Sequence, residues 1–189
     1  MPRLFVALDL PPDIKESLEP LASGLGDVRW TLPEQQHITL RFIGEVDNGR
    51  ANDVADALSL VPGTPFELEL KGIGHFPPRG EPKVLWAGVA KSRELKDLKR
   101  RIDRVLKRVD IASDTQKYAP HVTLARLRQP PPDAGLADYL IQHALYTSDP
   151  FPIDSLHLYS SWLRPEGPMY QLEASYRLAP GAEDEEWGL

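Results

Sequence analysis

Two tetrapeptides decide the reading of this chain: His37-Ile38-Thr39-Leu40 and His121-Val122-Thr123-Leu124. Each is His, an aliphatic residue, Thr and Leu. In an extended strand, residues i and i+2 share a face. His and Thr would therefore project from one side, while Ile38/Leu40 and Val122/Leu124 anchor the other side in a core. Two such strands facing each other would bring two imidazoles and two hydroxyls to one cleft. Opposed imidazoles can take a proton from a nucleophile and give one to a leaving group near neutral pH. The hydroxyls would hold what lies between them, for which a phosphate is the best fit. One copy alone would read as an ordinary strand with a polar outer face; a second copy with matching flanks favours a site.

The flanks raise a parity question. In-line displacement at phosphorus needs a cation to balance transition-state charge, and Arg126 is the first candidate. An unbroken strand would send Arg126 to the same face as Val122 and Leu124, where an unpaired charge cannot rest. The strand is therefore expected to end or bulge near Ala125, turning Arg126 into the cleft. Arg41 has the parity of His37 and Thr39 and is a second, weaker candidate; a surface position is the alternative for either. Phe42 shares parity with core-facing Ile38 and Leu40.

Composition limits the remaining possibilities. The chain has 189 residues, 41% hydrophobic and 26% charged, as in a soluble globular protein with a real core. It has no cysteine, which removes disulfides, thiolate nucleophiles and Cys-ligated zinc. No apolar run approaches the ~20 residues of a membrane helix, and the start carries no signal-like pattern, so a cytoplasmic protein is expected. The net charge of −6 argues against a large nonspecific nucleic-acid surface but permits a small nucleotide end-site. Basic residues from Lys96 to Arg108 interleave with Leu95, Leu98, Ile102, Val105 and Leu106 at helical spacing. They read as a solvated helix face, with an RNA-binding patch as the alternative.

Strands are expected at 3–9, 30–32, 37–43, 66–70, 83–89, 121–126, 151–162 and 169–178. Helices are expected from Pro12 to about Leu25, from Asp47 to Leu60, from Ser92 to about Val109 and from Ala134 to Leu145. The two halves, each carrying one motif, read as two lobes sharing an interface with the cleft between them. Residues 1–179 are taken as one domain and the acidic stretch 180–189 as a mobile tail. His75 is placed in a loop flanking the cleft, and His143 and His157 in structural positions. A histidine-based metal site is disfavoured, because no Asp or Glu stands at ligand spacing beside either motif.

The segments His37-Ile38-Thr39-Leu40-Arg41-Phe42-Ile43-Gly44-Glu45 and Pro120-His121-Val122-Thr123-Leu124-Ala125-Arg126 closely resemble the two HxTx motifs of the 2H phosphoesterase superfamily. The resemblance is to its RNA 2',3'-cyclic phosphodiesterase branch, also called bacterial and archaeal 2'-5' RNA ligases. It extends to Leu4 through Pro11, Trp30, Gly72 with Phe76-Pro77, Val84 through Gly88 and Gly167 through Tyr170. It implies a bilobal, pseudo-twofold α+β fold, with two antiparallel sheets lining a cleft and helices outside. It also implies hydrolysis of RNA 2',3'-cyclic phosphate ends to 2'-phosphomonoesters without metal or other cofactor. By the same resemblance His37 would be the proton donor and His121 the proton acceptor, Thr39 and Thr123 would bind phosphate, and Phe42 and Arg126 would lie near the terminal nucleotide. RNA 3' ends or cyclic nucleotides are the expected substrates, and a monomer the expected state. RNA 2'-5' ligation, with an RNA 5'-hydroxyl as nucleophile, and noncatalytic binding of RNA ends or nucleotides are the alternatives.

Overall fold

The computed structural model describes residues 3–26, 28–127, 133–164 and 167–179. The 180–189 tail expected to be mobile lies outside them. In chain order the elements are β1 (Arg3–Asp9), α1 (Pro12–Leu18), β2 (Val28–Trp30), β3 (His37–Glu45), α2 (Asn48–Ser59), β4 (Phe66–Leu68), β5 (Leu70–Phe76), β6 (Val84–Val89), α3 (Arg93–Arg108), β7 (His121–Leu127), α4 (Asp133–Gln142), β8 (Phe151–Ile153), β9 (Ser155–Arg164) and β10 (Gly167–Arg177).

The fold is mixed α+β with antiparallel sheets. Strands β10-β9-β1-β3 form one half and β7-β6-β5 the other, with β2 also paired to β7. The halves join where Ile38 of β3 faces Val122 of β7. Beyond that pair the strands part, and β2 takes the vacated edge, matching Val28 to Leu127, Arg29 to Arg126 and Trp30 to Ala125. The two sheets expected from the sequence are thus continuous at one point, and the cleft opens where they diverge. Strands β4 and β8 pair as a separate ribbon.

Local chemistry sets the helices. The Asp47 carboxylate accepts the Arg50 N–H at 2.8 Å and starts α2; the Ser92 hydroxyl accepts the Leu95 N–H at 3.0 Å and starts α3. On α3 the residues Leu95, Leu98, Ile102, Val105 and Leu106 are buried against the sheet; each full burial contributes about 1.5–3 kcal/mol. Lys99 does not belong to a solvated face. It is buried, 2.6 Å from both Asp103 carboxylate oxygens.

Several expectations need correction. The first helix stops at Leu18 and gives way to a single 3-10 turn over Glu19–Leu21, because Pro20 has no N–H to continue the ladder. The short strand lies at Val28–Trp30 rather than 30–32, although the Thr31 N–H still reaches the Leu124 carbonyl at 2.8 Å. The long strand expected over 151–162 is two strands on different sheets, interrupted at Asp154, whose carbonyl instead accepts the Leu178 N–H. His75 is not in a loop but in β5, opposite Leu85. Glycines at 72 and 74 hid that strand. Gly74 makes room there for Trp86, whose indole a Cβ would meet.

Candidate active site

The two motif strands carry the same irregularity at the same place. On β3, Thr39 stands opposite Ala7 of β1 and Arg41 opposite Val6, leaving Leu40 without a partner. On β7, Thr123 stands opposite Trp86 of β6 and Ala125 opposite Leu85, leaving Leu124 without one. Each is a β-bulge, which inserts one residue and resets the side-chain alternation. Two successive residues then face inward: Leu40 with Arg41, and Leu124 with Ala125, all buried. The next residues, Phe42 and Arg126, turn out into the cleft. The bulge expected near Ala125 is thus present, and its twin at Leu40 resolves the parity difficulty of Phe42.

The same bulge overturns the expectation for Arg41. Its side chain lies behind the sheet, 4% exposed, with Nη1 3.5 Å from Asp103 and 3.9 Å from Asp114. Nη2 donates to the Ala112 carbonyl. Arg41 ties β3 to α3 and the loop after it, and does not reach the cleft.

A cleft of about 700 Å³ is lined by His37, Thr39, Phe42, His121, Thr123 and Arg126 together. The six residues that the resemblance assigns to the site therefore meet in one place. The Ile38–Val122 pair sets their order: in an antiparallel register His37 comes opposite Thr123, and Thr39 opposite His121. The two histidines are then diagonal across the point where the strands part, and both line the cleft between them.

Both imidazoles are fixed in the same way. Nδ1 of His37 donates to the Gln35 carbonyl at 2.8 Å, and Nδ1 of His121 to the Ala119 carbonyl at 2.7 Å. Each bond runs to the residue two before and occupies Nδ1, which leaves the acid–base capacity of the ring to Nε2. Nε2 of His37 lies 3.1 Å from the Thr39 hydroxyl. Aromatic rings enclose each imidazole: Phe5 at 5.0 Å and Tyr170 at 5.3 Å about His37, Phe76 at 5.0 Å and Trp86 at 6.4 Å about His121. This enclosure removes water and disfavours the imidazolium. It lowers His37 from 6.5 to about 4, against opposing effects of the Gln35 carbonyl and the Asp9 carboxylate. His121 is also lowered, by burial first and by the Arg126 charge, while the Ala119 carbonyl opposes.

The neighbouring charges differ between the two. Asp9 of β1 is the cross-strand partner of His37 and favours its protonated form. Arg126 disfavours a proton on His121. Asp9 is itself oriented by the Tyr159 hydroxyl, which donates at 2.7 and 2.9 Å.

Sequence reasoning missed Phe5, Phe76 and Tyr170 as the walls around the histidines, and Arg29 beside Arg126. Alternation on β2 could have found Arg29, but a three-residue strand gives too short a pattern to read. His75 does not line the cleft; its Nδ1 bonds the Pro77 carbonyl at 2.8 Å. His143 packs on Tyr139 at 4.6 Å, and His157 bonds the Ser175 hydroxyl at 2.9 Å. Among the described residues, no group of three or more His, Asp or Glu stands where it could hold a metal ion, and no helix is long and apolar enough to cross a membrane.

A cleft with two anchored imidazoles, two hydroxyls and an arginine offers the groups that acid–base chemistry on an anion requires. Residues 10–162 match the family described as the 2'-5' RNA ligase superfamily. The chain belongs to that superfamily. It is 33% identical over 172 residues to the RNA 2',3'-cyclic phosphodiesterase of Archaeoglobus fulgidus, covering 89% of this chain and 96% of the relative. Its fold is that of TT0787 of Thermus thermophilus, with a TM-score of 0.79 and 24% identity over 94% of this chain and 98% of that one. It also matches E. coli LigT complexed with 3'-AMP, with a TM-score of 0.74 and 23% identity over 94% and 99% of the two chains.

Proposed function

We propose that this protein is a hydrolase that opens RNA 2',3'-cyclic phosphate ends to 2'-phosphomonoesters in the cytoplasm. The observation that carries the reading is the diagonal pair of histidines, each with Nδ1 held by a carbonyl and Nε2 left to the cleft. The name of the Archaeoglobus relative, which matches over nearly its whole length, supports the substrate.

In the proposed step, Nε2 of His121 takes a proton from water as the water oxygen attacks phosphorus. The P–O3' bond breaks as His37 gives its Nε2 proton to O3', leaving a 3'-hydroxyl and a 2'-phosphate. Proton exchange with solvent then restores both imidazoles. The hydroxyls of Thr39 and Thr123 donate to the nonbridging oxygens, and Arg126 offsets their growing charge. Asp9 behind His37 favours a proton there, against a larger effect of burial that takes His37 to about 4; Arg126 disfavours one on His121, in line with the burial that lowers it. Burial disfavours a proton on both imidazoles; a substrate phosphate anion beside Nε2 draws a proton onto His37. Phe42, 68% exposed at the cleft, offers a face to the terminal base.

The experiment is incubation of the purified protein with 2',3'-cyclic AMP and with a cyclic-ended oligonucleotide in the presence of chelator, followed by ³¹P NMR. A 2'-phosphate product is expected from both. No hydrolysis of either, or a 3'-phosphate product, would sink the reading.

A further inference from the structure

The two motif strands are built alike, but the strands beside them differ at one position. Counted back from the bulges, Thr39, Ile38 and His37 face Ala7, Leu8 and Asp9 of β1. Thr123, Val122 and His121 face Trp86, Ala87 and Gly88 of β6. The residue opposite each histidine is therefore a carboxylate in one half and bare backbone in the other. Residues directly opposite each other on one face interact, and a carboxylate near an imidazole favours its protonated form. The second half has no room for a like group: a Cβ at Gly88 would come within 2.7 Å of the Lys71 carbonyl oxygen.

The Asp9 carboxylate is held from β9. The Tyr159 hydroxyl donates to both of its oxygens, at 2.7 and 2.9 Å. The Tyr159 ring stacks on Phe5 at 5.4 Å, and Phe5 in turn packs on His37 at 5.0 Å. Nε2 of His157 lies 3.8 Å from the same carboxylate, while its Nδ1 is bound to the Ser175 hydroxyl. Around His37 itself, Lys15 of α1 and His121 of β7 oppose a proton, and Tyr170 of β10 meets the ring edge-on at 5.3 Å. Among the described residues, Asp9 is the carboxylate that favours that proton.

We infer that Asp9, clamped by Tyr159, is the positioning residue that divides the two like motifs and makes His37 the proton donor to O3'. The inference rests on the proposed reading of the cleft and deepens it, by naming what assigns the acid and the base. Asp9 acts through the imidazole and not on the substrate. Once the bound phosphate has drawn a proton onto Nε2 of His37, the carboxylate holds it there until the P–O3' bond breaks and O3' takes it. His121, with Gly88 opposite and Arg126 disfavouring a proton, is left to accept one from water.

NMR titration of the imidazoles in the intact chain, saturated with 2'-AMP, tests the division without requiring turnover. Asp9 is 46% exposed, so Asp9→Asn should leave the fold intact. In that variant the His37 titration should fall to lower pH while that of His121 holds. Tyr159→Phe should move His37 the same way by less, and Asp9→Glu should recover part of the wild-type position. Turnover supplies a second readout, from a cyclic substrate with sulfur in place of O3'. A thiol ionises near 8.5, so its thiolate leaves without an acid. Asp9→Asn should lose kcat roughly tenfold on the oxygen substrate, the equivalent of one unit of proton affinity, and almost nothing on the sulfur substrate. An unmoved His37 in either Asp9→Asn or Tyr159→Phe, an equal shift of both imidazoles, or an equal loss on both substrates overturns the inference. A selective shift of His37 in a protein that hydrolyses neither substrate would count against the enzyme reading and leave the positioning role standing.

Discussion

Ile38 and Val122, the aliphatic residues inside the two His-x-Thr motifs, face each other as partners across β3 and β7. Both are fully buried. The contact between the halves is therefore made by the motifs themselves, on the face away from the cleft. One register sets the core contact and the diagonal of the histidines together, so a slip of one residue would destroy both.

The first prediction concerns that diagonal. His37→Ala and His121→Ala should each lower kcat on 2',3'-cyclic AMP by roughly 10²–10⁴-fold with little change in KM. The double variant should fall far short of the product of the two losses, because the residues act in one step. Steady-state kinetics on variants with unchanged circular dichroism is the check; a single variant retaining wild-type kcat would remove that histidine from the step.

A second prediction follows from the lowered imidazoles. His37 in the folded, empty protein takes up its proton near pH 4, whereas in the unfolded chain it does so near 6.5. Between these values the unfolded state binds more protons, so stability declines as pH falls from about 6.5 to about 4. His121, shifted in the same direction, adds to the slope. Urea midpoints should drop across this window, and His37→Asn should flatten the dependence. Addition of 2'-AMP should move the NMR titration of His37 upward; an unmoved titration would contradict its role as the acid.

Much of this site was readable from the chain because its grammar is local. Strand parity put His with Thr, and the refusal of a charge to sit unpaired in a core forced a bulge ahead of Arg126. The same rule misplaced Arg41. Its parity is right for a continuous strand, and nothing local in His37–Ile43 signals the Leu40 bulge. The partners that make its burial tolerable, Asp103 and Asp114, lie over 60 residues away in sequence. β5 was missed for the opposite reason: its glycines answer to Trp86 of the neighbouring strand, not to their own segment. The aromatic walls around the histidines also come from four different strands, and pairing between distant strands is not written in either one alone.

Arg41 supplies the third prediction. Replacing it with Leu removes the cation that Asp103 and Asp114 share, though Lys99 still holds Asp103. Since both carboxylates keep some water, the cost should be modest for a buried pair, roughly 1–3 kcal/mol. Denaturant unfolding measures it. Activity per folded molecule should stay near wild type, because the side chain lies behind the sheet; a large loss of kcat with unchanged stability would place Arg41 back in the chemistry.

Gly74 gives a fourth. Ala at this position drives a methyl into the Trp86 indole, and Trp86 in turn packs with Phe76 about His121. Overpacking of this kind costs about 1–3 kcal/mol. The strain should be transmitted to His121, so that Gly74→Ala loses both stability and kcat, whereas Gly26→Ala, where a Cβ meets open space at an exposed position, should lose no activity. Equal kcat for wild type and Gly74→Ala would show that the Trp86 wall does not position His121.

The last prediction separates binding from chemistry at Phe42. Phe42 is a large hydrophobic residue left 68% exposed, so Phe42→Ala should barely change stability. Its position is nonetheless fixed: the Leu40 bulge turns it out, and its ring stands 6.1 Å from Phe5, which also packs on His37. A base laid against Phe42 would gain stacking of about 1–3 kcal/mol, and truncation should raise KM for a cyclic-ended substrate roughly tenfold or more. The interaction is made equally in ground and transition states, so kcat should be preserved. If Phe42→Ala lowers kcat and leaves KM alone, the ring acts through Phe5 on His37 instead of on the base.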